Sequence, residues 1–176
     1  MKSNKPKDSY YHQETERLAF RPLTLEDIEP WSHFFNDNPT ERFLGGDLLG
    51  DSPIAKSSMW IKKQIWRQDE KAFGQMAVTE KESGKFIGLG GLIARDDNEF
   101  EVTYSFFPDA WGKGFGTELA VHFKKYAFDH IDISYVVSMI HIENEASMHV
   151  ARKNGMEIIR ETEFLGMPIY VFGVER

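Results

Sequence analysis

Apolar residues at regular spacing divide the chain into elements. Between Glu16 and Leu23, Leu18 and Phe20 alternate with Arg17 and Arg21, the period of two expected of a strand covered on one face. Thr24-Leu25-Glu26-Asp27 has the form of a capping box and predicts a helix that stops near Asn38-Pro39. Gly45, Gly46 and Gly50 put a loop over 43–51. Ser52-Pro53 then supplies an N-cap and a first-turn proline, and Ile54, Ile61 and Ile65 recur at helical spacing to about Asp69. Three strands over 73–80, 86–94 and 100–107 are separated by turn signals at Glu82-Ser83-Gly84 and Asp96-Asp97-Asn98. The middle strand is interrupted by Gly88, Gly90 and Gly91. A helix with Leu119, Ala120, Phe123, Tyr126 and Ala127 on its apolar face follows, then a β-branched strand over 133–140. A short helix over 144–154 ends at Gly155, and strands over 157–163 and 168–174 flank Gly166.

The order β-α-α-β-β-β-α-β-α-β-β implies an α/β (α+β) fold, a mixed central twisted sheet of about seven strands flanked by about four helices. Residues 1–13, with Lys2, Lys5, Lys7 and Pro6, read as a mobile N-terminal arm, and 14–176 as a single domain.

Composition narrows the function classes. The net charge of −7 argues against broad electrostatic binding to nucleic acid. The absence of cysteine excludes disulfides, cysteine-based zinc sites and a cysteine nucleophile, and no metal is expected. No apolar run is long enough to span a bilayer and the N-terminus lacks a signal-peptide core, so the expectation is a cytoplasmic protein with no membrane partner. Aromatic residues reach 14%, enough for a Phe-rich core with or without an aromatic-lined pocket. Asp37, Asp47 and Asp51 lean slightly toward a cationic ligand.

One segment suggests chemistry directly. Gly112, Gly114 and Gly116 alternate between a strand ending at Pro108 and a helix beginning near Gly116. Unpaired N–H groups and the positive end of the helix dipole meet there, and glycine lets backbone approach a ligand closely. Such a site suits a pyrophosphate, with Lys113 as an added charge or a solvated side chain. In isolation the loop is equally well read as a flexible turn. Its spacing is not that of a dinucleotide fold, and no Gly-Lys-Ser/Thr follows as in a nucleoside-triphosphate P-loop.

The run from Phe100 to Glu118, FEVTYSFFPDAWGKGFGTE, resembles the acetyl-CoA-binding motif of the GNAT N-acetyltransferase superfamily. Its flavour is that of the Rim-type branch, which acetylates ribosomal-protein N-termini and includes small-amine acetyltransferases. Ile142 to Ser147 with Ala151 to Met156 resembles the branch's N-x-A-S…K-x-G-F segment, and Glu16 to Leu23 with Glu26-Asp27 resembles its opening. The match departs at Trp111, where the superfamily often has Arg or Gln, at Met156 in place of Phe, and at His141, where an apolar residue is usual.

The resemblance implies transfer of an acetyl group from acetyl-CoA to a primary amine, on a protein N-terminus or a small molecule, by direct attack on the thioester. It implies that the strands over 100–107 and 133–140 splay apart around the pantetheine arm. Tyr104, Ser105 and Phe106 would pair with that arm, the Phe106 N–H donating to the thioester oxygen. Trp111, Gly112, Lys113, Gly114, Phe115, Gly116 and Thr117 would take the pyrophosphate. Glu101 is the expected base, directly or through water; Asn144 would bond the pantetheine or the acceptor as well as cap its helix. Ser147 would help protonate the leaving thiolate. His141 is an alternative base or a structural histidine, and Trp60 and Tyr170 are candidates for the acceptor side. An acyl-CoA-binding sensor without catalysis and a transferase of a larger acyl group such as succinyl remain as alternatives, and both monomer and homodimer are open.

Overall fold

The computed structural model describes residues 8–45, 50–95 and 99–176. The predicted turn at Asp96-Asp97-Asn98, together with Gly46 and Asp47, lies outside them, as do residues 1–7 of the expected arm. The elements are β1 (Leu18–Arg21), α1 (Ile28–Ser32), α2 (Pro53–Glu70), β2 (Gln75–Glu80), β3 (Phe86–Ala94), β4 (Phe100–Phe106), α3 (Phe115–His130), β5 (Tyr135–His141), α4 (Glu145–Lys153), β6 (Glu157–Phe164) and β7 (Met167–Glu175). The order is the predicted one. The seven strands form one sheet, β1-β2-β3-β4-β5-β7-β6, antiparallel at every pair except β4/β5.

Strand alternation distributes the core to both faces. Met76, Val78, Leu92, Phe100 and Val102 point to the side covered by α3, where they meet Leu119 and Phe123. Ala77 and Leu89 point the other way, into an aromatic cluster of Trp31, Phe34, Phe35 and partly buried Trp60 under α1 and α2.

Local chemistry sets the element ends. The predicted capping box forms: Asp27 accepts the Thr24 N–H at 2.9 Å, and its carboxylate also takes both guanidinium arms of Arg21 (2.7 and 2.9 Å). The helix it opens is shorter than expected: α1 passes into a 3-10 turn that ends at Phe35. Ser52 caps α2 through the Ala55 N–H at 3.3 Å. Leu165 (φ 51°) and Gly166 (φ 76°) make the two-residue β6–β7 hairpin turn, whose positive φ values match the right-handed twist of the strands.

Two expectations change. The glycines do not interrupt β3; they admit neighbours. A Cβ on Gly88 would lie 2.3 Å from the Ser105 carbonyl oxygen, and one on Gly90 would lie 2.4 Å from Leu119 Cδ1. The arm over 1–13 is not loose in its second half. Asp8–His12 forms a 3-10 turn that buries Tyr10 completely among Phe73, Phe123 and Tyr126. The Tyr10 hydroxyl accepts the Leu92 N–H at 2.8 Å and donates to the Gly74 carbonyl at 3.2 Å, so an aromatic anchor holds what polar composition suggested was free.

Tyr10→Phe leaves the buried Leu92 N–H without that acceptor and is expected to cost about 1–3 kcal/mol of unfolding free energy, measured by urea denaturation. Burial raises the Asp27 carboxyl, but the Arg21 fork and the Thr24 N–H outweigh it and hold the group below its ordinary value. A depressed carboxylate contributes stability that is complete above the unfolded value of roughly 4 and is lost as pH falls through the native value. Asp27→Asn is therefore expected to lower the melting temperature at neutral pH and to flatten its decline below about pH 4.

Candidate active site

The site begins where one sheet ladder stops. β4 and β5 pair only at Phe100–Val136 and Glu101–Val137, while β4 stays paired to β3 through Phe106. Beyond Glu101 the two parallel strands part, as the resemblance implied. Two side chains close the point of separation. Ser138 Oγ donates to the Val102 carbonyl at 2.9 Å, and Glu101 Oε1 accepts the Met139 N–H at 3.3 Å.

The orientation of the β4 peptides follows from these bonds. The Phe107 N–H donates to Ile87 of β3 at 3.0 Å, so odd-numbered residues turn their peptide groups toward β3. Val102 turns toward β5, and Tyr104 and Phe106 share its parity. Their N–H groups therefore face the gap with no strand opposite. The Phe106 carbonyl also points there and accepts the Trp111 indole N–H at 2.8 Å.

Past Phe106 a 3-10 turn (Pro108–Ala110) leads into the glycine loop. Gly112 (φ 73°) and Gly114 (φ 82°) adopt left-handed conformations that disfavour a side chain, and Gly114 is the N-cap of α3. The first bond of the helix is Glu118 N–H to Gly114 O, at 3.0 Å, so the N–H groups of Phe115, Gly116 and Thr117 precede it. Gly116 lets α3 approach β4: its Cβ would meet the Tyr104 ring at 3.4 Å.

The loop is braced from the segment just before β1. Arg17 donates to Glu118 at 2.7 Å and to the Lys113 carbonyl at 2.8 Å, and its guanidinium lies 4.7 Å from the centre of the Phe115 ring. Glu118 also accepts from the Thr15 hydroxyl and the Arg17 N–H. Burial raises the Glu118 carboxyl, but these bonds prevail and hold it below its ordinary value.

The gap, the glycine loop and the start of α4 enclose a cleft of about 470 Å³. Tyr104, Ser105, Phe106, Trp111, Gly112, Gly114, Phe115, Gly116, Thr117, Asn144 and Ser147 all line it. Of the expected cofactor residues only Lys113 does not, and its carbonyl is the acceptor of Arg17. Asn144 caps α4 by accepting the Ser147 N–H at 3.2 Å. Burial pushes the Tyr104 phenol up to about 12, against a hydrogen bond with the Ser147 side chain, so this hydroxyl keeps its proton in the cleft wall.

A second cavity of about 170 Å³ adjoins the cleft, with Leu44 in the wall of both. Along one face of β4, Glu101 and Thr103 line the second cavity and Ser105 the first, so the two spaces follow one another on the strand. Glu101 is 5% exposed and its Oε2 is held by Arg95 (Nε at 2.8 Å). Trp60 lines this cavity; Tyr170 does not, and packs against the core beside α3. His141 lies there with its Nδ1 accepting the Glu143 N–H at 3.1 Å and its ring 5.0 Å from that of Phe43. A neutral ring so bonded carries its proton on Nε2 and has no free lone pair, which favours the structural reading of this histidine.

Asp37 and Asp51 line neither cavity. The charged side chains in the second one are Lys63, Arg67, Arg95 and Glu101. Sequence reasoning missed these cations, because helical spacing on α2 did not reveal which face meets the sheet. It missed Ser138 as well, although a lone hydroxyl inside an apolar β-branched strand was a visible signal. No group of residues suited to hold a metal ion occurs among the described residues.

A single mixed sheet with helices on both faces, opened between two parallel strands beside a helix N-terminus, defines an α/β fold of acyltransferase type. The profile of the acetyltransferase (GNAT) domain matches residues 17–157, and the chain belongs to that family. It is therefore an acetyltransferase. YoaA of Bacillus subtilis (strain 168), an uncharacterised N-acetyltransferase, is 25% identical over 146 residues, covering 82% of this chain and 81% of its own. A GNAT-family acetyltransferase from Bacillus anthracis superposes with a TM-score of 0.78 at 18% identity, covering 93% of this chain and 98% of its own. RimL, a ribosomal-protein alpha-N acetyltransferase solved with coenzyme A, gives a TM-score of 0.74 at 13% identity over 92% and 95%. The described helices include none long and apolar enough to cross a membrane.

Gly114→Val places a β-branched residue at φ 82°, a conformation costing about 1–3 kcal/mol where the fold enforces it. The expected result is coenzyme A affinity reduced about tenfold or more by calorimetry; unchanged affinity would exclude this loop from the binding site.

Proposed function

We propose that the chain transfers the acetyl group of acetyl-CoA to a primary amine that enters the cavity beside Glu101. The observation that carries this reading is the adjacency of the two spaces: a cleft lined by unpaired N–H groups and a cavity whose wall holds a buried carboxylate share Leu44 and follow one another along β4.

The residues fit such a donor. The N–H groups of Phe115, Gly116 and Thr117, with the dipole of the sixteen-residue α3, suit a pyrophosphate. Tyr104 and Phe106 offer the free edge of β4 to an extended amide-bearing arm, in the manner of strand addition. The Phe106 N–H is the donor assigned to the thioester oxygen as it gains negative charge. Acetyl-CoA supplies the thioester acyl group and a thiol leaving group.

The chain supplies proton handling. An amine is mostly protonated near neutral pH and must lose a proton before it can attack. Glu101 is the base in this reading. Its Oε1 and Oε2 are occupied by the Met139 N–H and Arg95, so relay through water suits it better than direct contact. Ser147 donates toward the departing thiolate, and the Tyr104 phenol beside it retains a proton to replace the one lost. Asn144 fixes Ser147 by capping α4 and presents its amide to the cleft.

The Asn144-Glu145-Ala146-Ser147 segment at the mouth of the cleft and the likeness to RimL support placement in the Rim-type branch. The carboxylate beside the cleft favours a catalyst over a binding-only sensor, which would have no use for a base there.

Glu101→Gln is expected to lower kcat about 100-fold or more, with coenzyme A affinity within about twofold of wild type. Equal turnover across the pH range would remove Glu101 as the base. Ser147→Ala and Tyr104→Phe should each lower kcat, and the double variant should fall no further than the weaker single, as members of one relay do. Additive losses would separate them.

A further inference from the structure

Among the described residues, three cations and a single carboxylate line the acceptor cavity. Lys63 and Arg67 stand one turn apart on α2 and Arg95 follows β3, all in the wall that also contains Glu101. Arg95 is committed to Glu101 and lies 5.1 Å from the centre of the Phe164 ring. Lys63 and Arg67 form no salt bridge with any described residue. Arg67 is partly buried, and Lys63 stands at the more exposed edge. The rest of the wall mixes apolar and aromatic side chains, Phe43, Trp60, Met139 and Phe164 among them, with the uncharged polar Gln64, Gln75 and Thr103 and with His141.

Electrostatics inside the cavity bear the mark of excess positive charge. Burial lowers the Lys63 ammonium below its ordinary value, and Arg67 and Arg95 lower it further. Burial and then Arg95 lower Arg67 as well, with Glu101 opposing. Holding like charges together in a partly desolvated space is unfavourable, and a bound anion relieves it. The guanidinium of Arg67 offers a planar fork suited to carboxylate or phosphate oxygens. A polyamine would instead carry its second cation against three others.

We propose that the acceptor of this acetyltransferase is an amine that also carries an anionic group, a carboxylate or a phosphate, seated on Arg67 and Lys63 with an apolar portion against Trp60 and Phe43. Glu101 lies on β4, where the amine must lose its proton, and the two cations with no salt bridge to a described residue lie on α2. The slight lean of Asp37, Asp47 and Asp51 toward a cationic acceptor is thereby reversed: the first and last line neither cavity, and Asp47 lies outside the described residues.

The inference rests on the acetyl-transfer reading, and matched acceptors separate the two. Thiol release from acetyl-CoA is measured with phenylalanine against phenylalaninamide, with O-phosphoethanolamine against ethanolamine, and with spermidine. The expected result is a kcat/KM at least about tenfold higher for the anionic member of one pair, the size of a charge-assisted bond. Which pair responds distinguishes carboxylate from phosphate. Arg67→Ala and Lys63→Ala should each shrink that ratio through KM, Arg67→Lys should keep part of it, and added salt should weaken it in the wild type. Neutral amines or spermidine used as well as the anionic ones, or a ratio untouched in both alanine variants, would overturn the inference and leave the transferase standing. If no amine releases thiol, the acetyl-transfer reading fails. Calorimetry of the same compounds then decides the anion preference, and equal binding of phenylalanine and its amide overturns it.

Discussion

The architecture of the site depends on a ladder that is not completed. β4 and β5 share two paired positions and then part, and every feature of the cleft follows from that divergence. Separating two central strands exposes peptide groups that the sheet would otherwise satisfy, a cost comparable to lost hydrogen bonds. Two side chains limit it. Ser138 bonds the Val102 carbonyl and Glu101 bonds the Met139 N–H, so the opening starts at a defined residue rather than fraying along the sheet. The peptide groups of Tyr104 and Phe106 are left facing outward from β4. Glu101 thus has a structural duty at the seam as well as the proton-accepting role proposed for it.

The second constraint is the fixing of the glycine loop. Glycine permits the left-handed turns at Gly112 and Gly114, but the same freedom would leave the loop loose in solution. Arg17, just before β1, reaches across to a loop carbonyl, to Glu118 and over the Phe115 ring, and Trp111 ties the start of the loop back to Phe106. These contacts keep the first N–H groups of α3 pointed into the cleft. The N-terminal segment thereby contributes to a site that its own sequence gives no sign of.

The order of elements was legible from periodicity because strand and helix patterns here are clean and their ends carry caps. The splayed strands and the glycine loop were legible through the family resemblance, and the structure brings Glu101, Asn144, Ser147 and the loop around two adjoining spaces. What escaped the sequence is whatever depends on pairing across long separations. Tyr10 meets Leu92 across 82 residues, and its polar surroundings in the sequence read as a free arm. Arg17 meets Glu118 across 101 residues. The cations of α2 line a cavity only because that helix crosses the sheet face carrying Glu101 and Thr103. The glycines of β3 read as interruptions, since the atoms that would meet a Cβ at Gly88 and Gly90 lie in β4 and α3.

The central claim is that the free edge of β4 and the first turn of α3 form one binding surface. Amide hydrogen exchange with and without coenzyme A tests it residue by residue. The account predicts that coenzyme A slows exchange at Tyr104, Phe106, Phe115, Gly116 and Thr117, while the Thr103 and Ser105 amides, already paired with β3, change little. Protection confined to other segments, or none at these five amides at saturating coenzyme A, would contradict it.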